Sequence, residues 1–124
     1  MRRLRVYISG PYSSNPEENT KIACGYWQIL WEMGYAPQCP HWSHIQTRVS
    51  DLPHSKWLEY DCSWISANDV VLRIPGESDG AEIEVAYANL IKVPVVHSLG
   101  ELNEQFPAVE VYDGAPITST TNPV

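Results

Sequence analysis

The sequence predicts an α/β fold in which a mostly parallel sheet of about five strands lies between layers of helices. Short β-rich runs alternate along the chain with longer segments that carry helix start and stop signals. Turns rich in Gly and Pro follow several of these runs. Because strands that alternate with helices form βαβ units, helices are expected on both faces of the sheet.

The first half of the chain shows this alternation clearly. Segment 4–9 (LRVYIS) is β-rich and ends at a Gly-Pro turn, so it is predicted as the first strand. A helix is predicted over 16–33, because Asn15 is a suitable cap and Gly34 a suitable stop. Segment 35–40 (YAPQCP) is predicted as a short second strand.

The remaining elements complete one domain, 1–112, which precedes a polar C-terminal tail, 113–124. They are predicted, in order, as a loop over 41–53 rich in His, Trp and Pro, a helix over 55–67, a strand over 69–74, a helix from the turn at 75–80 to about Ile91, a strand over 93–98, a short helix over 100–106 and a last strand over 108–112.

Composition excludes several functional classes. The net charge of −7 argues against binding to a nucleic-acid polymer, whose phosphates repel such a surface. Three cysteines at irregular spacing predict reduced thiols in a cytoplasmic protein. No apolar run approaches the ~20 residues of a membrane span, so no membrane association is predicted. The sequence MRRLRVYIS enters a strand at once, which leaves no room for a signal peptide.

Glu84 has an unexpected position on the third predicted helix. At about 100° per residue, Glu84 falls between Ala88 and Ile91 on the apolar side. Glu82 falls on the polar side and, with Asp79, has the spacing of a capping box. Because a carboxylate without partners is costly to bury, Glu84 is expected to be paired or functional.

Asp61 repeats this anomaly on the helix predicted over 55–67. It falls between Trp57 and Ile65 on the apolar side. One such acid is more often structural, either capping a helix or paired with a basic residue. Two of them, on helices that flank the same strand ends, indicate the paired carboxylates that proteins use on glycosidic bonds.

Two loops are expected to form a ligand site, because ligands of parallel sheets bind beyond the carboxyl ends of the strands. Segment 9–14 (SGPYSS) follows the first strand, and segment 75–80 (PGESDG) follows the strand at 69–74. Both loops lead into helix N-termini, whose N–H groups favour an anion.

The groups that most resemble metal ligands are Cys39, just before the loop over 41–53, and His41 and His44 within it. Cys39, His41 and His44 fit no closed zinc pattern, so no metal is predicted. Gly10 lacks the other glycines of a dinucleotide fingerprint, and no cofactor is predicted. We expect His41, Trp42 and His44 to lie over the site, where an aromatic ring can stack on a base. A hydrogen-bonded structural histidine and a core tryptophan are the alternative interpretations.

Three segments together resemble the nucleoside 2-deoxyribosyltransferase-like superfamily. They are VYISGPY (6–12), EYDCSWISANDVV (59–71) and SDGAEIEVAYA (78–88), and the resemblance spans residues 5–98. This superfamily includes deoxyribosyltransferases and 2'-deoxynucleoside 5'-monophosphate N-glycosidases. The resemblance implies a flavodoxin- or Rossmann-like three-layer sandwich, a small-molecule nucleoside or nucleotide substrate, and a homodimer or larger homo-oligomer.

The resemblance also implies roles for individual residues. Glu84 corresponds to the nucleophile that attacks C1' of the sugar and forms a glycosyl-enzyme ester. Asp61 corresponds to the acidic partner that protonates or orients the leaving base. Tyr7 corresponds to the tyrosine that supports the nucleophile and lines the sugar pocket.

The predicted substrate-binding residues point to two related activities. Ser78 and Gly80 match the monophosphate hydrolases, where a serine helps to hold the 5'-phosphate, whereas segment 10–12 (GPY) resembles the transferases. Hydrolysis of a nucleotide is predicted, with base exchange and a non-catalytic nucleotide sensor as alternatives. A purely structural protein would leave both acids unexplained. The other predicted substrate-binding residues are Ser9, Gly10, Pro11, Ser13 and His41.

Overall fold

A computed structural model of the chain describes residues 2–109. In chain order the elements are β1 (Arg5–Ser9), α1 (Pro16–Met33), β2 (Ala36–Gln38), a short 3₁₀ helix (Pro40–Trp42), α2 (Ser43–Gln46), α3 (His54–Ile65), β3 (Val70–Arg73), α4 (Asp79–Leu90), β4 (Val95–Val96) and α5 (Leu99–Gln105).

The strands form one parallel sheet in the order β2-β1-β3-β4. This is the order of flavodoxin-like doubly wound sheets, in which the chain changes direction between β1 and β3. The predicted α/β class is therefore confirmed, with four strands in the described residues in place of about five. Residues 108 and 109 are not in a strand, and the rest of the predicted last strand and the tail, 110–124, lie outside the described residues.

Two apolar cores, one on each face of the sheet, make the molecule a three-layer sandwich. Because successive strand residues point to opposite faces, β1 and β3 contribute to both cores. Helices α1 and α5 cover one face, and α3 and α4 cover the other. Fully buried members are Val6, Ile8, Leu30, Val70, Leu72 and Leu102 on the first face and Tyr7, Ile65, Val71 and Ala88 on the second.

Helix α1 has the bounds that its sequence predicts. The Asn15 side chain accepts a hydrogen bond from the Glu18 N–H, 3.4 Å away, and thereby satisfies one of the free donors of the first turn. Gly34 ends the helix with a φ of 107°, and its N–H is directed to the carbonyls of Leu30 and Trp31. A side chain at this φ would be strained, so glycine suits the position.

The segment predicted as a loop over 41–53 contains two short helical turns. Pro40 provides the fixed φ that suits a first helical position. The hydroxyls of Ser43 and Thr47 then donate to the carbonyls of Pro40 and His44, three residues earlier in each case. These local bonds close tight turns that the composition of the segment alone does not indicate.

Two further features are the state of the cysteines and the character of the helices. Cys24, Cys39 and Cys62 are all free thiols. Within residues 2–109, no helix has the length and apolar character needed to cross a membrane.

Candidate active site

A cavity of about 500 Å³ opens beyond the carboxyl ends of β1 and β3. This is the point at which the strand order reverses, where doubly wound sheets bind their ligands. The loop after β1, the 3₁₀ helix with α2, the start of α3 and residues 77–81 at the start of α4 form its walls. Its volume lies within the ordinary range for small-molecule sites.

Glu84 lies at the inner end of this cavity and is only 5% exposed. The Tyr7 hydroxyl donates to its Oε2 (3.0 Å), and the Ser9 hydroxyl donates to its Oε1 (2.7 Å). Tyr7 and Ser9 are two residues apart on β1, so both side chains point to the same face of the sheet. Burial raises the pKa of the Tyr7 phenol well above its ordinary value and keeps it a donor. Both oxygens of this buried carboxylate therefore have hydrogen-bond donors.

Asp61, on α3, faces Glu84 across the cavity. Burial, followed by the charge and the hydrogen bond of Glu84, raises the pKa of Asp61 to about 8. Burial also raises the pKa of Glu84, but its hydrogen bonds with Ser9, Tyr7 and Asp61 oppose that shift. Among the described residues nothing donates to the buried Oδ1 of Asp61. Because hydrogen bonds stabilise the charged form of Glu84 and none reaches Oδ1 of Asp61, Asp61 is the acid of the pair that binds a proton more readily.

Arg73 stabilises the loop between β3 and α4, which leads to the cavity. It is 8% exposed, and its guanidinium donates to Glu82 (2.9 Å) and to the carbonyls of Gly76 (2.9 Å) and Ile74. These bonds hold the loop between β3 and α4 that leads to the cavity. The positive charge also opposes the rise in the pKa of Glu84. Glu82 itself is largely exposed, as the sequence predicts.

The first turn of α4 differs from the prediction in its cap. Ser78, not Asp79, is the capping residue, and its hydroxyl oxygen accepts from the Ala81 N–H at 3.0 Å. The predicted capping box is wrong, because Asp79 is already the first helical residue. Ser78 and Gly80 both line the cavity.

Gly10 lines the cavity where the chain leaves β1. A Cβ at this position would lie 2.3 Å from Cγ1 of Ile74, at the end of β3. Glycine is therefore required here by the close approach of two neighbouring strand ends.

The other predicted residues divide between the cavity wall and the layer behind it. Ser13 and His41 line the cavity. Tyr7 and Ser9 are completely buried behind Glu84. Pro11 supports the wall, because its carbonyl accepts from Nε2 of His41 at 2.9 Å. Burial lowers the pKa of His41 and keeps its ring neutral.

Of the three residues expected to lie over the site, His41 lines the cavity, whereas Trp42 and His44 do not. Trp42 is about half exposed and packs against Trp27 with ring centroids 5.8 Å apart, away from the cavity. The wall instead contains Trp57, with His54 and Leu58, from the start of α3. The available signal was the spacing of Trp57 and Asp61, since residues four apart on a helix share a face.

The charge of the wall is acidic. None of the eight lysine and arginine residues, all within the described range, lines the cavity. Glu77 and Asp79 are exposed beside Ser78 at the start of α4. Across residues 2–109, no three His, Cys, Asp or Glu side chains come together as a metal site would require.

Fold and site define a doubly wound α/β protein with paired carboxyl groups at its topological switch point. A 2-desoxiribosyltransferase from Leishmania mexicana has the same fold, with a TM-score of 0.58 and 16% identity over 90% of this chain and 75% of that one. A family described as "Domain of unknown function (DUF4406)" matches residues 4–97, and the chain belongs to this family. No curated protein matches the sequence.

Proposed function

We propose that the protein is an enzyme that cleaves the N-glycosidic bond of a nucleoside or nucleotide. One observation carries this proposal: the carboxyl groups of Glu84 and Asp61, from two different helices, both line one end of a nucleoside-sized cavity, and Tyr7 and Ser9 donate to Glu84. A structural pair of acids has no need of such a cavity. The fold shared with a 2-desoxiribosyltransferase supports the same chemistry.

The two carboxyl groups supply the nucleophile and the proton of the first step. Glu84 attacks C1' and forms a glycosyl ester, while Asp61 donates its proton to the departing base nitrogen. In the second step, water attacks C1' of the ester and gives a proton to the Asp61 carboxylate. This step releases the sugar and regenerates both groups. Tyr7 and Ser9 hold the Glu84 carboxylate in position through their hydroxyls.

The contact between the carboxyl groups favours a covalent intermediate over direct displacement by water. Inverting glycosidases separate their carboxyl groups by roughly 6.5–9.5 Å to leave room for a water molecule. Here Asp61 and Glu84 are within hydrogen-bond contact. That geometry leaves no room for an attacking water molecule between the two carboxyl groups.

A 2'-deoxynucleoside 5'-monophosphate is the substrate that the start of α4 suits best. The first N–H groups of that helix, together with Ser78 and Gly80, border the cavity, and such a helix end attracts phosphate. Hydrolysis would then release free base and sugar phosphate.

Base exchange on an unphosphorylated nucleoside is the second candidate. The cavity wall has no lysine or arginine, and Glu77 and Asp79 add negative charge beside Ser78. Such a wall favours a sugar with a free 5'-hydroxyl over a phosphate dianion. In this case a second base, not water, would accept the sugar from Glu84.

The experiment is to incubate the protein with each deoxynucleoside and its 5'-monophosphate, with and without a second free base, and to separate the products by chromatography. Free base with sugar phosphate indicates the hydrolase, and a new nucleoside indicates the transferase.

Glu84→Gln should lower turnover by at least about a thousand-fold and keep the fold, because the amide is a poor nucleophile. Glu59→Gln, on the outer side of α3, is the matched control. Binding without any product in wild type would identify a sensor instead.

We also propose that the protein is a homodimer or a larger homo-oligomer. The outer sides of α3 and α4 expose four large side chains: Tyr60, Trp64, Ile83 and Leu90. Exposed apolar groups on adjacent helices are typical of protein interfaces.

A further inference from the structure

We infer that Trp57 is the surface on which the base of the substrate stacks. The inference rests on the proposed function and adds to it a residue that determines binding of the base. It applies equally to hydrolysis and to base exchange, since both begin with a bound nucleoside.

The position of Trp57 is not explained by packing of the protein interior. Its side chain is half-buried and lines the cavity, yet it belongs to neither apolar core among the described residues. Its indole N–H donates to Oδ1 of Asp51 (3.2 Å), and Tyr60 packs edge-on against the ring with centroids 6.3 Å apart. The indole is therefore held in one orientation with part of its surface towards the cavity. A large aromatic surface fixed in this way is suited to stacking.

The spacing between Trp57 and Asp61 along α3 places Trp57 next to the proposed proton donor. Trp57 precedes Asp61 by one helical turn, which places their Cβ atoms about 5–6 Å apart on one face. In the proposed reaction Asp61 protonates the departing base, so the base must lie beside Asp61. Because Glu84 must be close to C1', the sugar occupies the inner end, and the base extends from Asp61 along α3 towards Trp57.

Tyr12, the other large aromatic residue of the wall, has partners of its own. The Tyr12 hydroxyl is 2.7 Å from Nδ1 of His44, and its ring packs edge-on against His41 and His44. All five tryptophans are within the described residues, and the other four do not line the cavity. Trp27 packs on the first core, Trp31 lies under Arg3, Trp42 packs on Trp27, and Trp64 contacts Tyr60 on the outer side of α3.

The test compares Trp57→Phe with Trp57→Leu in the full-length protein. Both replacements are apolar, but only phenylalanine keeps a ring for stacking. We expect Trp57→Leu to raise KM for a purine deoxynucleoside about ten-fold or more, with a smaller effect for a pyrimidine. Its kcat should stay within about three-fold of wild type, because the reacting groups are intact. Trp57→Phe should keep most of the wild-type affinity that Trp57→Leu loses. Trp31→Leu, on α1, is the control for loss of an exposed indole.

Calorimetric binding of deoxyadenosine and deoxycytidine, with or without 5'-phosphate, separates this inference from the proposed function. Ligand binding that is weakened by Trp57→Leu but not by Trp57→Phe supports base stacking even if no product forms. Unchanged KM and affinity in Trp57→Leu would overturn the inference while leaving turnover by Glu84 intact. Equal weakening by leucine and phenylalanine would also overturn it, because it would indicate a packing role. If Trp57→Leu does not fold, Trp57→Met replaces it in the same comparison. Failure of the wild-type protein to bind any of these compounds would contradict both proposals.

Discussion

At the scale of single residues, the proposed chemistry depends mainly on which of Asp61 and Glu84 holds a proton. Glu84 receives hydrogen bonds from Tyr7 and Ser9, and these stabilise its ionised form. Asp61 has a buried Oδ1 with no donor among the described residues, which favours its protonated form. The two acids thus have different environments, as a nucleophile and a proton donor require.

The raised pKa of Asp61 predicts a pH dependence of stability. An acid whose pKa is higher in the folded state than in the unfolded state binds more protons when folded between those two values. Its stabilising contribution is complete below its ordinary value of 3.8 and is lost as the pH rises through about 8. Between pH 5 and 9, wild type should therefore lose on the order of 4 kcal/mol of unfolding free energy relative to Asp61→Asn, at about 1.4 kcal/mol for each pH unit up to about 8.

Urea unfolding of both proteins across this pH range checks the prediction. Asp69→Asn is the control, because Arg2 lowers the pKa of Asp69 and places its titration below this range. Parallel curves for wild type and Asp61→Asn would contradict the assignment of the proton to Asp61.

At the scale of elements, α4 connects the sheet to the candidate site. Its first turn borders the cavity, its second turn carries Glu84, and its third contributes Ala88 to the core below. The start of this helix depends on Ser78, whose hydroxyl oxygen satisfies the Ala81 N–H. The start of the helix that carries Glu84 therefore depends in part on this capping bond.

Removal of this cap should weaken the fold measurably. We expect Ser78→Ala to lower the unfolding free energy by about 1 kcal/mol, because the Ala81 N–H loses its acceptor. Ser78→Thr retains the hydroxyl and should stay within about 0.5 kcal/mol of wild type. Chemical unfolding monitored by circular dichroism measures both, and equal stability of the alanine and threonine variants would be inconsistent with the cap.

At the scale of the whole molecule, the outer surface of α3 and α4 predicts self-association. Trp64 is 45% exposed and Leu90 is 77% exposed on these two helices. The double variant Trp64→Glu/Leu90→Glu should be monomeric, because buried and unpaired carboxylates would oppose the interface.

Light scattering at several protein concentrations measures the mass of each variant. Ile45→Glu, at an exposed position of α2, which contacts α1, is the control and should keep the mass of wild type. A monomeric wild type, or dissociation by Ile45→Glu alone, would contradict the proposed interface.

The elements with strong local signals are the ones that the sequence predicts well. Helix α1 has a cap, a proline and a terminal glycine, and its predicted bounds are confirmed. Strand β4 is limited to Val95 and Val96 and is shorter than predicted. Pro94 before it has no N–H, and the His97 N–H after it donates to the Glu101 side chain and not to a strand. The cap of α4 was misassigned because Ser78 and Asp79 are both good caps locally, and only the path of the chain out of β3 distinguishes them.

The sequence by itself determined the α/β class, the helical faces of Asp61 and Glu84, and the loops that border the cavity. Periodicity and turn residues are local properties of the chain, so they can be recognised in the sequence without coordinates. The tertiary structure alone decided which further groups meet: Ser9 at Glu84, and Trp57 in place of Trp42 in the wall. These contacts join residues far apart in the chain, and their energies depend on burial that only packing creates.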